Sequence, residues 1–221
     1  MKTVAMIPIK LNNDRVPGKN IKKFFDGTPL MELIQKACLA TASVDEVYVY
    51  CSKPEVQEYM LDGVKYLQRP DYLDTSAVNC NDIIREFIKI VDADVYVVSH
   101  ATGPFTRSAS IEACIQEVAS GKYDSAFLAK RMQGFLWQDG TAMNFDIQHF
   151  PRTQDLKPIY VEASGAFVFT KESFLKYDRR VGMKPYIHEV DEIEAVDIDY
   201  PIDFKIADAI YKEVIKNEYS N

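Results

Sequence analysis

The chain has 221 residues, 47% of them hydrophobic and 27% charged, with a formal net charge of −7. Those values are ordinary for a soluble globular protein, and the length suits one α/β domain with an elaboration, large enough to bury a core without staples. The acidic balance argues against a nucleic-acid binder, and no run of about 18 apolar residues suggests a membrane span.

The start, MKTVAMIPIK, is too short an apolar stretch for a signal peptide and reads as a strand over residues 2–9. Its continuous apolar character is that of a strand buried on both faces. Residues 29–42 have helical spacing, with Leu30, Leu33, Ile34, Ala37 and Cys38 on one face and Pro29 at the start. Val47–Cys51 reads as a second strand, Ser52–Glu55 as a helix start with an early proline, and residues 64–67 as a short third strand. A helix over 80–91 carries Ile83, Ile84, Phe87, Ile88 and Val91 inward, and Val95–Val98 is another buried strand. A helix over 108–119, capped by Ser108, turns Ile111, Cys114, Ile115 and Val118 inward. Strands follow at 125–129 and 166–169, and a helix over 201–217 closes the chain.

Alternating strands and helices predict a Rossmann-like, three-layer α/β/α fold around a mostly parallel sheet. Residues 132–160 break the alternation. They hold Phe135, Leu136, Trp137, Phe145, Phe150 and Tyr160 among polar residues, with turn material at Asp139-Gly140. The expectation is a single domain over 1–221 with an insertion at about 132–160 that makes a dimer contact and helps close the site. A hairpin covering the sheet edge of a monomer is the alternative. The four cysteines are scattered, without a CxxC pair, and read as buried free thiols of a cytoplasmic protein.

Four groups of residues carry candidate chemistry. The first strand empties into a loop with Lys10, Arg15 and Lys19; Asp14 is the only acid between Lys10 and Lys23. In an open α/β sheet this carboxyl-end loop is where anionic ligands bind, so it reads as a triphosphate loop, with Gly18 letting backbone approach the ligand. Asp197 and Asp199 flank one residue, so in an extended segment their carboxylates share a side and suit Mg²⁺ held also by substrate phosphates. Asp203, after Pro201, reads as a helix-start carboxylate. Ser99 to Arg107 follows another buried strand and is a second candidate ligand wall, where His100 reads a base or sugar hydroxyl or is simply structural. Arg152-Thr153-Gln154-Asp155 and Glu162–Ala166 lie around the insertion and suit acceptor contacts, Arg152 being the obvious carboxylate partner. His149 and His188 have no partners at metal spacing.

Taken together and in order, these segments resemble the CMP-sialic acid synthetases (acylneuraminate cytidylyltransferases), with the CMP-Kdo synthetases as more distant kin. The family opening A-R-x-G-S-K-x-x-P-x-K-N is similar to Ile9–Asn20, its Q-P-T-S-P-L-R loop to His100–Arg107, and its R-R-Q-D-L to Pro151–Leu156. Its E-N-G-A is approached by Glu162–Ala166, and its D-I-D-T-x-x-D-F is matched by Asp197–Phe204. The resemblance implies a nucleotide-diphospho-sugar transferase type of fold, CTP as donor, Mg²⁺ as cofactor and a homodimer built partly from the insertion. It also implies transfer of CMP to an acidic sugar for surface-glycan (lipopolysaccharide or capsule) synthesis, with pyrophosphate released. By position, Lys10, Asn12, Arg15, Lys19 and Asn20 would line the nucleotide, Asp197 and Asp199 would hold the metal, and His100, Arg152, Gln154 and Ser164 would face the acceptor. Lys19, Arg15, Asp197 and Asp199 form the catalytic set. Lys10 stands where the family has Arg, Asn13 and Asp14 where it has Ser and Lys, and His100 and Ser164 where it has Gln and Asn. The nucleotide and metal elements therefore match better than the acceptor elements, which points to a nonulosonic acid related to sialic acid, or to another surface sugar. Two alternatives remain open: transfer to a sugar phosphate or other phosphorylated acceptor, and a catalytically silent nucleotide-binding subunit.

Overall fold

The computed structural model describes residues 1–12 and 15–216. Its elements are β1 (Thr3–Ile9), α1 (Leu30–Leu39), β2 (Glu46–Cys51), β3 (Val64–Gln68), α2 (Cys80–Ile90), β4 (Val95–Val98) and α3 (Ser108–Ala119). They continue with β5 (Ser125–Met132), β6 (Trp137–Gln138), β7 (Thr141–Ala142), β8 (Ile159–Thr170), α4 (Lys171–Tyr177), β9 (Pro185–Val190) and α5 (Pro201–Ile210). Seven strands make one sheet in the order β3-β2-β1-β4-β8-β5-β9. All pairings are parallel except those of β8, which runs antiparallel to both neighbours. The expected mostly parallel α/β architecture is present.

Burial explains the layers. Alternate side chains of the central strands enter two cores. Ala5, Ile7, Val97, Ala126 and Val168 meet Met31, Ile34, Ile111 and Ile115 of α1 and α3 on one face. Val4, Met6, Tyr96, Phe167 and Phe169 meet Ile84, Phe87, Ile88 and Phe174 of α2 and α4 on the other. A third cluster, Phe24, Leu30, Phe105, Ile198, Phe204, Ala207 and Tyr211, locks α5 beside the carboxyl end of β1. The Phe24 ring lies 5.2 Å from that of Phe204 and 4.6 Å from that of Tyr211.

Several sequence expectations are corrected. The segment after β2 is a 3-10 helix over Pro54–Tyr59 rather than an α-helix, so Pro54 opens only a short turn. Ser108 is not a cap: it is the first residue of α3, the cap position belongs to Arg107, and its backbone N–H donates to Glu194 Oε1 at 2.9 Å. β8 begins at Ile159, not near 166, and β9 was missed because its burial is patchy at the sheet edge. α5 ends at Ile210 and continues as a π-helical turn over Tyr211–Ile215; position 217 of the expected helix lies outside the described residues. The break in alternation therefore spans 133–158. Within it, β6 and β7 form a small hairpin whose Asp139-Gly140 turn has positive φ at both residues, 49° and 77°. Its rings pack on one another, Phe145 lying 4.8 Å from Phe135, 5.2 Å from Trp137 and 4.9 Å from Phe150.

Among the described residues no helix is long and apolar enough to cross a membrane, and all four cysteines are free thiols, with only Cys80 partly exposed.

Candidate active site

The carboxyl ends of β1, β4, β5 and β9 lie on one edge of the sheet, and the site assembles there. Lys19 follows Gly18, whose φ of 64° is the left-handed conformation that turns the loop back toward the sheet. Only 7% of Lys19 is exposed. Its Nζ donates to the Ile198 carbonyl at 2.6 Å and lies 3.8 Å from Asp199 Oδ1. Burial lowers the Lys19 pKa, and the nearby charges of Asp199 and Asp197 oppose that shift. Arg15 reaches the same carboxylate, Asp199 Oδ1, at 2.8 Å, and its guanidinium sits over the Tyr200 ring. Asn20 Nδ2 donates to the Lys10 carbonyl at 2.8 Å, fixing the end of β1 against the loop.

Ile198 is fully buried in the third core and donates its N–H to the Thr102 carbonyl at 3.0 Å. Anchored at that residue, the chain turns Asp197 and Asp199 away from the core on either side. Asp203 Oδ2 accepts from the backbone N–H groups of Asp199 and Tyr200 at 2.9 and 2.7 Å, the helix-start role expected of it.

Ser164 sits in a bulge of β8. Phe127 pairs with Phe167 but Ala129 with Glu162, so residues 163–166 of β8 oppose Leu128 alone. The bulge aims Ser164 at the site: its Oγ donates to Asp197 Oδ1 at 2.9 Å and accepts from Thr102 at 3.0 Å. Its carbonyl accepts from the His100 N–H at 3.3 Å. Such an approach demands glycine alongside, since a Cβ on Gly165 would stand 2.0 Å from Thr106 Oγ1.

His100 is held in a buried setting, where desolvation and the Arg180 and Lys19 charges push its pKa down to about 4. It is a neutral ring near pH 7. Its Nε2 faces Cys80 Sγ at 3.8 Å and Arg180 Nη1 at 3.4 Å.

A pocket of about 300 Å³ opens beside these groups. Lys10, Lys19 and Asn20 line it on one side, His100, Ala101 and Thr102 on another, and Arg69, Leu73, Asp74, Thr75, Val78 and Cys80 on the far side. Arg69 is 2% exposed, pairs with Asp74 at 2.5 Å and lies 6.0 Å from the Tyr50 ring centroid, and among the described residues its Nε has no partner. A buried unsatisfied donor at the wall of a pocket is chemically poised for an acceptor. Asp74 is also engaged by Ser52.

The structure thus brings Lys10, Arg15, Lys19, Asn20, His100, Ser164, Asp197 and Asp199 to one place. No contact among the described residues ties Arg152, Gln154 or Asn12 to that group. Arg152, its side chain 73% exposed, forms a bidentate pair with Asp155 three residues on, and the Gln154 carbonyl accepts from Gln133. Among the described residues neither has a hydrogen bond or ion pair to the pocket residues; exposed Asn12 has none with them either. Asn13 and Asp14 lie outside the described residues. Arg69, Asp74 and Arg180 were missed. Arg69 follows β3 directly, so the carboxyl-end rule that flagged the loops after β1 and β4 would have found it; Arg180 carries no comparable signal.

The donor set fits a hard divalent cation. Asp197 is exposed and Asp199 partly so, and both act electrostatically on Lys19, yet no group of three or more metal-binding side chains exists among the described residues. Two carboxylates completed by water and phosphate oxygens are what Mg²⁺ takes.

Comparison with known proteins settles the family. The profile described as cytidylyltransferase matches residues 4–218. The chain belongs to the cytidylyltransferase family. It is 26% identical over 214 residues to N-acylneuraminate cytidylyltransferase A of Danio rerio, covering 92% of this chain and 49% of that protein. To the pseudaminic acid cytidylyltransferase of Campylobacter jejuni it is 25% identical over 227 residues, covering 96% of this chain and 97% of that one. Against the N-acylneuraminate cytidylyltransferases it matches, the chain spans about half their length. The fold agrees with that of a solved cytidylyltransferase, the CMP:2-keto-3-deoxy-manno-octonic acid synthetase complexed with CTP. The TM-score is 0.73 and the identity 18%, over 96% of this chain and 99% of that one.

Proposed function

We propose that this cytidylyltransferase moves CMP from CTP to an acidic sugar of the nonulosonic or 3-deoxy-octulosonic class, releasing pyrophosphate, as a cytoplasmic step in surface-glycan synthesis. The observation that carries the reading is the convergence of Lys19, Arg15, Asp197 and Asp199 beside a pocket lined by Arg69. Lys10, Arg15, Lys19 and Asn20 receive the triphosphate; the Arg69–Asp74 side receives the base, the free Nε of Arg69 offering a donor to a pyrimidine carbonyl. Arg15 exchanges Asp199 for phosphate oxygens when the nucleotide enters. The anomeric hydroxyl of the acceptor attacks the α-phosphorus, its proton passing to solvent, and pyrophosphate departs toward Lys19 and Arg15. Such transfers depend on positioning and on fixed positive charge where negative charge gathers. Mg²⁺ on Asp197 and Asp199 would neutralise charge on the phosphates. Ser164 and His100 line the acceptor side; a ring that stays neutral donates and accepts hydrogen bonds there rather than carrying charge. The 133–158 excursion, its aromatic rings half exposed, serves as the homodimer contact, and Arg152 and Gln154 contribute to the acceptor side only in that assembly.

The test is pyrophosphate release from each of the four nucleoside triphosphates with N-acetylneuraminate, pseudaminic acid, 3-deoxy-manno-octulosonate or sugar phosphates. Release with CTP and one acid sugar, abolished by chelation of Mg²⁺, is expected. Release only with a phosphorylated acceptor would replace the acid-sugar reading, and nucleotide binding without release across the panel would remove it.

A further inference from the structure

Arg180 lies in the loop from α4 to β9, outside every motif considered above, yet its side chain reaches the acceptor side of the site. The guanidinium is seated flat on Phe167, its centre 3.5 Å from the ring centroid. The Arg180 backbone N–H donates to Asn81 Oδ1 at 3.2 Å, tying the loop to the start of α2. The Phe167 ring and the backbone tie together hold the side chain in place. One edge meets His100 Nε2 at 3.4 Å and the other meets Glu162 Oε2 at 3.5 Å. Both contacts are long for a charge-assisted hydrogen bond, which runs nearer 2.8 Å. His100 brings no negative charge, and Glu162 is half exposed, with 51% of its side chain accessible against 24% for Arg180. Among the described residues the acid that meets this partly buried cation is Glu162, held loosely and in contact with solvent. Glu162 stands two residues before Ser164 on the β8 bulge, so this pair borders the wall that carries the Asp197 contact.

We infer that Arg180 is the residue that receives the anionic group of the acceptor, a carboxylate, and that Glu162 is the stand-in anion the acceptor displaces. This rests on the acid-sugar reading above and adds to it the residue that selects for the acid. Planar guanidinium on a rigid aromatic shelf matches a carboxylate with two parallel N–H···O bonds, which an ammonium at the same place does not. Glu162 keeps the cation oriented when the site is empty and leaves to solvent at little cost because it is already half hydrated.

The experiment measures pyrophosphate release and CTP binding for the parent chain and for Arg180→Lys, Arg180→Gln and Glu162→Gln. N-acetylneuraminate, pseudaminic acid and 3-deoxy-manno-octulosonate serve as acceptors, each beside its carboxamide. With the acid that turns over, Arg180→Gln is expected to raise the acceptor KM about tenfold or more, with CTP affinity held within about twofold. The carboxamide should be as poor for the parent chain as the acid is for Arg180→Gln. Arg180→Lys should recover only part of the loss, and Glu162→Gln should lower the acceptor KM. Unchanged CTP affinity certifies that the variants fold. An active parent whose acceptor KM is indifferent to both Arg180 variants would overturn this inference and leave the cytidylyl-transfer reading standing. A parent inert with every acid would overturn both.

Discussion

The corner around Lys19 and the 133–158 excursion are both dense in side chains that resist water, and they handle them in opposite ways. At the corner, Ile198 and Phe204 are buried among the elements of the sheet, and the charges above them are interlocked: Lys19 with Ile198 and Asp199, Asp203 with two backbone amides. In the excursion four aromatic rings pack on each other while Trp137 and Phe150 stay 50% and 59% exposed. A site of the proposed kind, built for a triphosphate, needs its cations placed before the ligand arrives, because ordering them afterwards would cost binding energy. A contiguous apolar patch left exposed is instead the surface on which the proposed dimer contact rests.

The sharpest way to break the comparison is at Lys19. Lys19→Ala should lower kcat for pyrophosphate release by about 100-fold or more. It also leaves the Ile198 carbonyl without its donor, which costs about 1–3 kcal/mol of stability by urea denaturation. A variant with near-parental turnover would sink the catalytic assignment. Gly165→Ala tests how tightly the β8 wall of the site is built. Its Cβ collides with Thr106, so destabilisation of about 1–3 kcal/mol is expected, with partial recovery in the Thr106→Ala background. Full parental stability in Gly165→Ala alone would show that the close approach of β8 is not needed.

The His100 ring offers a pH test. Its folded pKa of about 4 lies below the ordinary 6.5, so the unfolded chain binds the proton more readily between those values. Stability is therefore full above the unfolded pKa and falls as pH drops from 6.5 toward 4. His100→Gln should flatten that part of the stability–pH curve; a parallel curve would show that the ring charges freely in the fold. The smallest effect on the site is expected from the excursion. Phe150→Ser should leave the CTP affinity of the chain intact while shifting sedimentation from dimer to monomer. A parent chain that already sediments as a monomer would refute the dimer role.

The parallel half of the sheet was legible because β1 and β4 are buried on both faces and β2 over its carboxyl-terminal half, so each writes an apolar run. The loop cations and the Asp197-Ile198-Asp199 triplet were legible for the same positional reason, as residues just beyond buried strands or paired about one apolar residue. β9 was not legible, since an edge strand with only Val190 fully buried has no apolar run to show. The exposed start of β8 hid for the same reason, and its bulge hid because a bulge is a property of two strands and not of either alone. Arg180 depended on tertiary contact: nothing near it in sequence says that its neighbours will be Phe167, His100 and Glu162. Arg152 shows the converse, a residue whose local setting beside Asp155 engages it within one turn of chain.

The position of β8 governs the order in which this molecule can be built. It sits between β4 and β5, yet its residues leave a ribosome after both. Until residue 170 has been made, β4 and β5 are two bare strand edges facing one another across a gap that only a later segment fills. Bare edges recruit other chains, and long-range pairings close slowly. A chain that pairs as it is made would hold the β1–β4 layer with its flank open until β8 arrives. Asp197 and Asp199 follow both β8 and β9 in the chain, so these carboxylates are the last of the site residues to be made.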